Sequence, residues 1–160
     1  MSNEGKPRKK AAILVVDANP ETRELLRGLL AKNYDVRTSG TGEEALHSAL
    51  RWPPDLIHCS GWMTGLIPFY LKTVYKKEPV FAHSKVIFTI GQNTFNENLG
   101  SDFIKKAQIH ASIKEKELEL YRDASNNALF RGGASFADAI TFGSADADKK
   151  LQEEFSKVRG

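Results

Sequence analysis

Residues 11–30, AAILVVDANPETRELLRGLL, predict a buried strand that leads directly into a helix. The uninterrupted apolar run from Ala11 to Val16 is typical of strands covered on both faces, as in parallel sheets. Asn19 can cap the helix that follows, and Pro20 suits its first turn. The apolar stripe of that helix is expected to consist of Leu25, Leu26, Leu29 and Leu30.

The same alternation of strands and helices continues along the chain. Further strands are predicted near residues 34–38, 55–59, 85–90 and 137–143, with helical patterns between them. Thr41 and Glu44 have the spacing of a capping box at the start of the second helix. A long helical pattern begins at Ser101 and is expected to stop at Gly132 and Gly133. Alternation of this kind predicts an α/β domain with a parallel five-stranded sheet and helices on both faces.

Composition and charge are those of an ordinary globular protein of 160 residues with a short basic N-terminus. The net charge is +3, and residues 1–10 account for it, because they hold four basic side chains and one acidic one. We therefore expect residues 1–10 to form a disordered leader, residues 11–160 to form one domain, and nucleic acid not to be a partner. The single cysteine, Cys59, and the lack of a membrane-length apolar run predict a cytoplasmic protein with no membrane partner.

The N-terminal half resembles the receiver domain of response regulators. The resemblance is carried by KKAAILVVDANPETRELLRGLLAKNYDVRTSGTGEEALHSALRWPPDLI, residues 9–57, and continues loosely through KVIFTI, residues 85–90. GGASFADAITFGSADADKKLQEEF, residues 132–155, is similar to the last strand and helix of that family. The resemblance implies a flavodoxin-like (βα)5 fold with an insertion, at about residues 92–112, between the fourth strand and the fourth helix.

The resemblance also implies where a phosphorylation site would lie. Receivers accept a phosphoryl group on an aspartate that ends the third strand, and two acids after the first strand help to hold Mg²⁺. Here Asp17 matches the first acid, Ala18 replaces the second, and Ser60 stands where the acceptor aspartate belongs. Asp17 is thus the only retained acid of the pair, which predicts that no metal is bound.

Two further positions of the family's site, on the fourth and fifth strands, are also changed. Ile90 stands at the usual Thr or Ser position, with Thr89 beside it. Phe142 stands at the usual lysine position, whereas a second register would put the fifth strand at HASIK, residues 110–114, with Lys114 near that position. Without these groups we expect no phosphoryl transfer, no cofactor and no enzymatic activity.

These expectations together describe a pseudo-receiver, a phosphorylation-independent protein–protein interaction module of bacterial two-component signal transduction. Its candidate interaction surface consists of Trp62, Phe95, Leu99, Phe103, Ile104 and Ile109. The partner would be a protein of the signalling pathway, and a second copy of the chain, forming a homodimer, is a further candidate. The alternative is a small-molecule sensor that binds its ligand in the vacated phosphorylation pocket.

Overall fold

The structure, a computed structural model, describes residues 10–17, 19–92, 95–143 and 149–156. The chain divides into two compact units, residues 1–57 and residues 58–160. The described strands are β1 (Ala12–Val16), β2 (Asp35–Ser39), β3 (Leu56–Ser60), β4 (Lys85–Ile90) and β5 (Ala139–Phe142). They form a five-stranded sheet in the order β2-β1-β3-β4-β5, which is the flavodoxin-like order. The α/β fold class predicted from the sequence is confirmed.

Helices occupy the connections between these strands. In the unit of residues 1–57 they are α1 (Pro20–Leu30) and α2 (Gly42–Arg51). In the unit of residues 58–160 the described helices are α3 (Ile67–Lys72), α4 (Phe103–Ala107), α5 (Asn126–Phe136) and α6 (Lys149–Ser156), with 3-10 segments at Trp62–Thr64 and Glu115–Tyr121. In the described ranges, no helix is both long and apolar enough to cross a membrane. The predicted leader, residues 1–10, lies outside the described residues except for Lys10, and the single-domain interpretation stays a prediction.

Both helices of the unit of residues 1–57 begin at the predicted caps. The Asn19 side chain accepts a hydrogen bond from the Glu21 N–H at 2.8 Å, and the Thr41 hydroxyl accepts one from the Glu44 N–H at 3.2 Å. The Glu44 carboxylate accepts from the Gly40 N–H at 2.8 Å instead of from the Thr41 N–H. The capping box is therefore only half formed. The N–H group that donates to the Glu44 carboxylate belongs to Gly40, one residue before the cap.

The apolar stripe predicted for α1 is only half covered. Leu26 and Leu30 are partly buried, whereas Leu25 and Leu29 are 63% and 67% exposed. The helix packs against β1 and β2, and only one row of its leucines reaches that surface. Helical spacing thus identified the helix correctly but overstated the width of its buried face.

The prediction that Gly132 and Gly133 end a helix is wrong. Both glycines lie inside α5. A Cβ atom at Gly132 would overlap the ring of Tyr121, and one at Gly133 would lie 2.5 Å from Cζ of Phe88. Tyr121 and Phe88 are both fully buried at these contacts. The glycines are therefore packing residues, because only a helix surface without side chains lets the two rings approach so closely.

Asp138, just before β5, joins three elements of the unit of residues 58–160. Its carboxylate accepts hydrogen bonds from the Val86 N–H of β4 at 2.7 Å and from the Lys72 ammonium of α3 at 2.6 Å. Partial burial by itself would raise the pKa of Asp138, but the bonds to Lys72 and Val86 outweigh it and lower that pKa below its usual value. The carboxylate is thus held in its charged form.

We expect Gly132→Ala to destabilise the protein by about 2 kcal/mol, because the added methyl group cannot fit beside the Tyr121 ring without displacing it. Gly28→Ala is the matched control: Gly28 also lies in a helix, and nothing lies within 4 Å of the point that its Cβ would occupy. That change should stabilise α1 by up to about 1 kcal/mol through helix propensity. The free energy of unfolding in urea checks both, and a Gly132→Ala variant as stable as Gly28→Ala would contradict the packing role.

Asp138 should make the stability of the protein sensitive to acid. Because the pKa of its carboxyl is lowered on folding, its contribution is present above the unfolded-state pKa of about 4 and is lost as the pH falls through the lower folded-state value. Asp138→Asn keeps an acceptor for the Val86 N–H but removes the charge that pairs with Lys72. The difference in melting temperature between wild type and Asp138→Asn should therefore shrink on acidification, and a difference independent of pH would contradict this assignment.

Candidate functional site

The loop that follows β3 leaves the sheet through a glycine turn. Gly61 has φ +79°, a backbone conformation that favours glycine. Its N–H donates to the Thr89 carbonyl of β4 at 3.2 Å, so the pairing of the two strands continues to the start of the turn. The 3-10 segment Trp62–Thr64 begins at the next residue and places Trp62 directly beyond the sheet edge.

Contacts with α5 and with Tyr121 hold this loop in place. The Tyr121 hydroxyl donates to the Gly65 carbonyl at 3.0 Å. Burial raises the pKa of Tyr121 far above its usual value, so that its hydroxyl remains a donor. A Cβ at Gly65 would lie 2.7 Å from the carbonyl oxygen of Leu129, so the backbones of the loop and α5 are in close contact. The loop after β3 is therefore preformed and does not depend on a ligand for its shape.

Trp62 of this loop forms an aromatic pair with Phe95, which follows β4, and exposed side chains lie next to Trp62 in the chain. The rings of Trp62 and Phe95 meet edge to face, with centroids 4.7 Å apart and planes at 70°. Both rings pack against the core of the unit of residues 58–160 and remain partly accessible. Ser60 is exposed, and Met63 is 79% exposed. We call Ser60, Trp62, Met63 and Phe95 the strand-end site.

The two faces of β3 differ in chemistry. His58 lies on an accessible face, and its Nε2 is 2.6 Å from the Thr89 hydroxyl. Partial burial of the imidazole lowers its pKa, which keeps it neutral at neutral pH. Cys59 points to the opposite face, is 2% exposed, and has a pKa raised by burial to about 12. Its thiol is therefore not an available nucleophile.

Four residues of the predicted degenerate phosphorylation site lie at the ends of neighbouring strands in the unit of residues 58–160. Ser60 ends β3, Thr89 and Ile90 end β4, and Phe142 ends β5 with Ile90 as its partner in the register. Ile90 is fully buried, and Thr89 is occupied by its bond to His58. The preferred register of the fifth strand is confirmed.

The other residues discussed for that site are Asp17, Ala18 and Lys114. Asp17 belongs to the unit of residues 1–57, where its carboxylate accepts from the Asn19 N–H at 2.7 Å. Ala18 lies outside the described residues. The alternative register is wrong, because Lys114 lies at the start of a 3-10 segment and not on a strand. Among the described residues, no three His, Cys, Asp or Glu side chains are grouped so as to hold a metal ion.

The predicted interaction surface separates into covered and exposed residues. Trp62, Phe95, Phe103 and Ile104 are partly buried and pack against the core of their own unit. Leu99 and Ile109 are 42% and 53% exposed. A role of these six residues in binding a partner, and the expectation of a homodimer, stay predictions.

Sequence reasoning missed the contact between His58 and Thr89 and the support of the loop by Tyr121. The residues of each contact lie 31 and 56 positions apart in the chain, and no local pattern signals such pairs. The one available signal was the alternation His58, Cys59, Ser60, which puts the polar side chains on one face of β3.

Comparison with known proteins gives the family of the chain. The family model of the starch synthase catalytic domain matches residues 36–159. A glycogen synthase of Photobacterium profundum is 35% identical over 91 residues, which are 57% of this chain and 18% of that protein. A glycogen synthase of Desulforudis audaxviator is 30% identical over 104 residues, which are 64% of this chain and 20% of that protein. The chain thus spans about a fifth of the length of these relatives.

One solved structure, the chemotaxis protein CheY4 of Vibrio cholerae, covers 93% of this chain and 98% of its own, at 18% identity and a TM-score of 0.47. A likeness at that level does not bear on family or activity.

The family match overturns four predictions: the pseudo-receiver assignment, the two-component signalling module, the sensor alternative and the absence of enzymatic function. The apolar pattern of the sequence identifies a sheet that many families share. The family match extends over most of the chain and shows that this protein belongs to the starch synthase catalytic domain family.

Proposed function

We propose that this chain takes part in glucosyl transfer during the synthesis of an α-glucan, and that its strand-end site binds a glucose unit. The proposal rests on the family match and on relatives named glycogen synthase. Because the chain spans about a fifth of those relatives, the role proposed for it is limited to what its described residues can do. That role is to hold and orient a sugar.

Glucosyl transfer makes definite demands on the protein. The bond between C1 of the glucose and its leaving group breaks, a new bond forms from C1 to an acceptor hydroxyl, and that hydroxyl loses its proton. The leaving group keeps the electron pair of the bond that breaks. Holding the sugar ring against the acceptor and excluding water supply a large part of the acceleration in such reactions.

The half-exposed Trp62 is the observation that carries the proposal. A glucose ring has apolar C–H faces and a rim of hydroxyl groups, so that sites for it combine an aromatic surface with hydrogen-bonding groups. Trp62 offers that surface, fixed from one side by the Phe95 ring at 4.7 Å. Because the loop is anchored through Gly65 and Tyr121, little conformational entropy is lost when a ligand binds.

Two polar side chains, Ser60 and His58, lie on the strand that leads to Trp62. The exposed Ser60 hydroxyl is two residues from Trp62 and can both donate and accept a hydrogen bond. His58 and Ser60 lie on the same face of β3, and the neutral imidazole of His58 is oriented by its contact with Thr89. These groups act as hydrogen-bonding partners in the proposal, and no bond-making step is assigned to them.

The cytoplasm remains the proposed location of this activity. It is supported by the single cysteine of the chain, Cys59, which is buried as a free thiol. Free thiols of this kind suit a reducing compartment.

We expect the protein to bind maltoheptaose, a linear α-glucan, and the Trp62→Leu variant to bind it about tenfold more weakly. The expected loss reflects removal of the aromatic surface, where tenfold corresponds to about 1.4 kcal/mol. Ser60→Ala, at an exposed position, should weaken binding about threefold, since it removes a single hydrogen bond. Isothermal titration calorimetry of the whole chain gives both affinities.

Tyr75→Leu is the matched control, because Tyr75 is an exposed aromatic residue of the same unit whose ring contacts Phe81, with centroids 6.2 Å apart, and not the strand-end site. It should bind maltoheptaose as the wild type does. Circular dichroism spectra establish that Trp62→Leu remains folded. Unchanged binding by a folded Trp62→Leu variant, or an equal loss in Tyr75→Leu, would reject the strand-end site.

A further inference from the structure

A cationic cavity lies between α2 and β2 in the unit of residues 1–57. It has a volume of about 290 Å³ and is lined by Arg37, His47, Ser48 and Arg51. Arg37 is the central residue of β2, and the other three lie on the last two turns of α2. His47 and Arg51 are four positions apart and therefore share one face of the helix. The cavity thus collects two guanidinium groups, one imidazole and one hydroxyl.

The guanidinium of Arg37 is oriented by an aromatic ring. Its central carbon lies 4.5 Å from the centroid of the Trp52 ring. Trp52 is itself the C-terminal cap of α2. Its backbone N–H donates a hydrogen bond to the Ser48 carbonyl at 2.9 Å. A guanidinium held over an aromatic ring by a cation–π contact can still donate hydrogen bonds from its N–H groups. Arg37 is therefore held beside the cavity by its contact with Trp52.

The arginines of this cavity are not paired with a carboxylate among the described residues. The side chains that line it include no Asp or Glu, and among the described residues neither Arg37 nor Arg51 forms an ion pair. Arg27 of the same unit differs in this respect, because its guanidinium contacts the Glu24 carboxylate at 2.6 Å. Cations gathered without a counter-charge are stabilised by an anion that contacts several of them at once.

We propose that Arg37, His47, Ser48 and Arg51 bind a small phosphate-bearing ligand. Guanidinium groups form paired hydrogen bonds with phosphate oxygens, and an imidazole and a hydroxyl add further donors. A cavity of about 290 Å³ accommodates a phosphate or a diphosphate group. Nucleic acid fits less well, because residues 10–57 hold six Lys and Arg against seven Asp and Glu, so the cations do not continue into a basic stripe.

The site shares no residue with the strand-end site, whose residues all belong to the unit of residues 58–160. The proposal does not depend on glucan binding and can fail or succeed without it. The probe for its test is inorganic pyrophosphate. The reporter is the fluorescence of Trp52 in a Trp62→Phe background, since the chain contains only these two tryptophans.

Pyrophosphate should change the Trp52 emission saturably at constant ionic strength. Arg37→Gln and Arg51→Gln should each weaken that binding about tenfold, because each removes charge-assisted hydrogen bonds to the anion. Arg27→Gln is the matched control: it removes the same charge from the same unit, at a guanidinium that is already paired with Glu24. It should leave the affinity within about twofold of the parent.

Three results would overturn the proposal. The first is the absence of a saturable response to pyrophosphate. The second is an equal loss of affinity in all three arginine variants, which would indicate attraction by overall charge alone. The third is tighter binding of duplex DNA than of pyrophosphate, measured by competition. Because Arg37, His47 and Arg51 are exposed, the variants are expected to remain folded, and thermal melting checks that they do.

Discussion

The structure of the unit of residues 58–160 depends on the bare surface of α5 at Gly132 and Gly133. The ring of Tyr121 lies against the first glycine, and the ring of Phe88 lies against the second. Each ring fills space that any other residue would occupy with its own Cβ, and each is fully buried as a result. The helix is thereby bound both to β4, through Phe88, and to the 3-10 segment, through Tyr121.

The same contact reaches the candidate site. With its ring fixed on Gly132, Tyr121 directs its hydroxyl to the carbonyl of Gly65. Gly65 in turn touches the backbone of α5 and closes the loop that carries Trp62. A packing constraint in the core therefore determines where the partly buried Trp62 ring is held. A binding surface needs such rigidity for specific recognition.

The resemblance of the N-terminal half to receivers has a physical cause. Asn19, Pro20 and the apolar run before them describe how a buried strand turns into a capped helix, and many unrelated families need that turn. The spacing of apolar residues indicates which side chains are buried, but it does not indicate which reaction a protein catalyses. The residues that carry receiver chemistry were already absent, with Ala18 and Ser60 in the places of two carboxylates. Those departures do not mark a receiver that has lost its function, because the family match shows that the chain belongs to a different family.

The sequence by itself determined the features whose causes are local. The strands follow from runs of apolar residues, and the starts of α1 and α2 follow from Asn19 and Thr41, whose side chains bond to N–H groups within three residues. Tertiary structure decided the rest. It made Gly132 and Gly133 packing residues where glycine usually ends a helix, it left Leu25 and Leu29 exposed, and it brought His58 to Thr89. These outcomes depend on groups distant in the chain, because burial and side-chain contact are set by what another element presents and not by the residue's own neighbours.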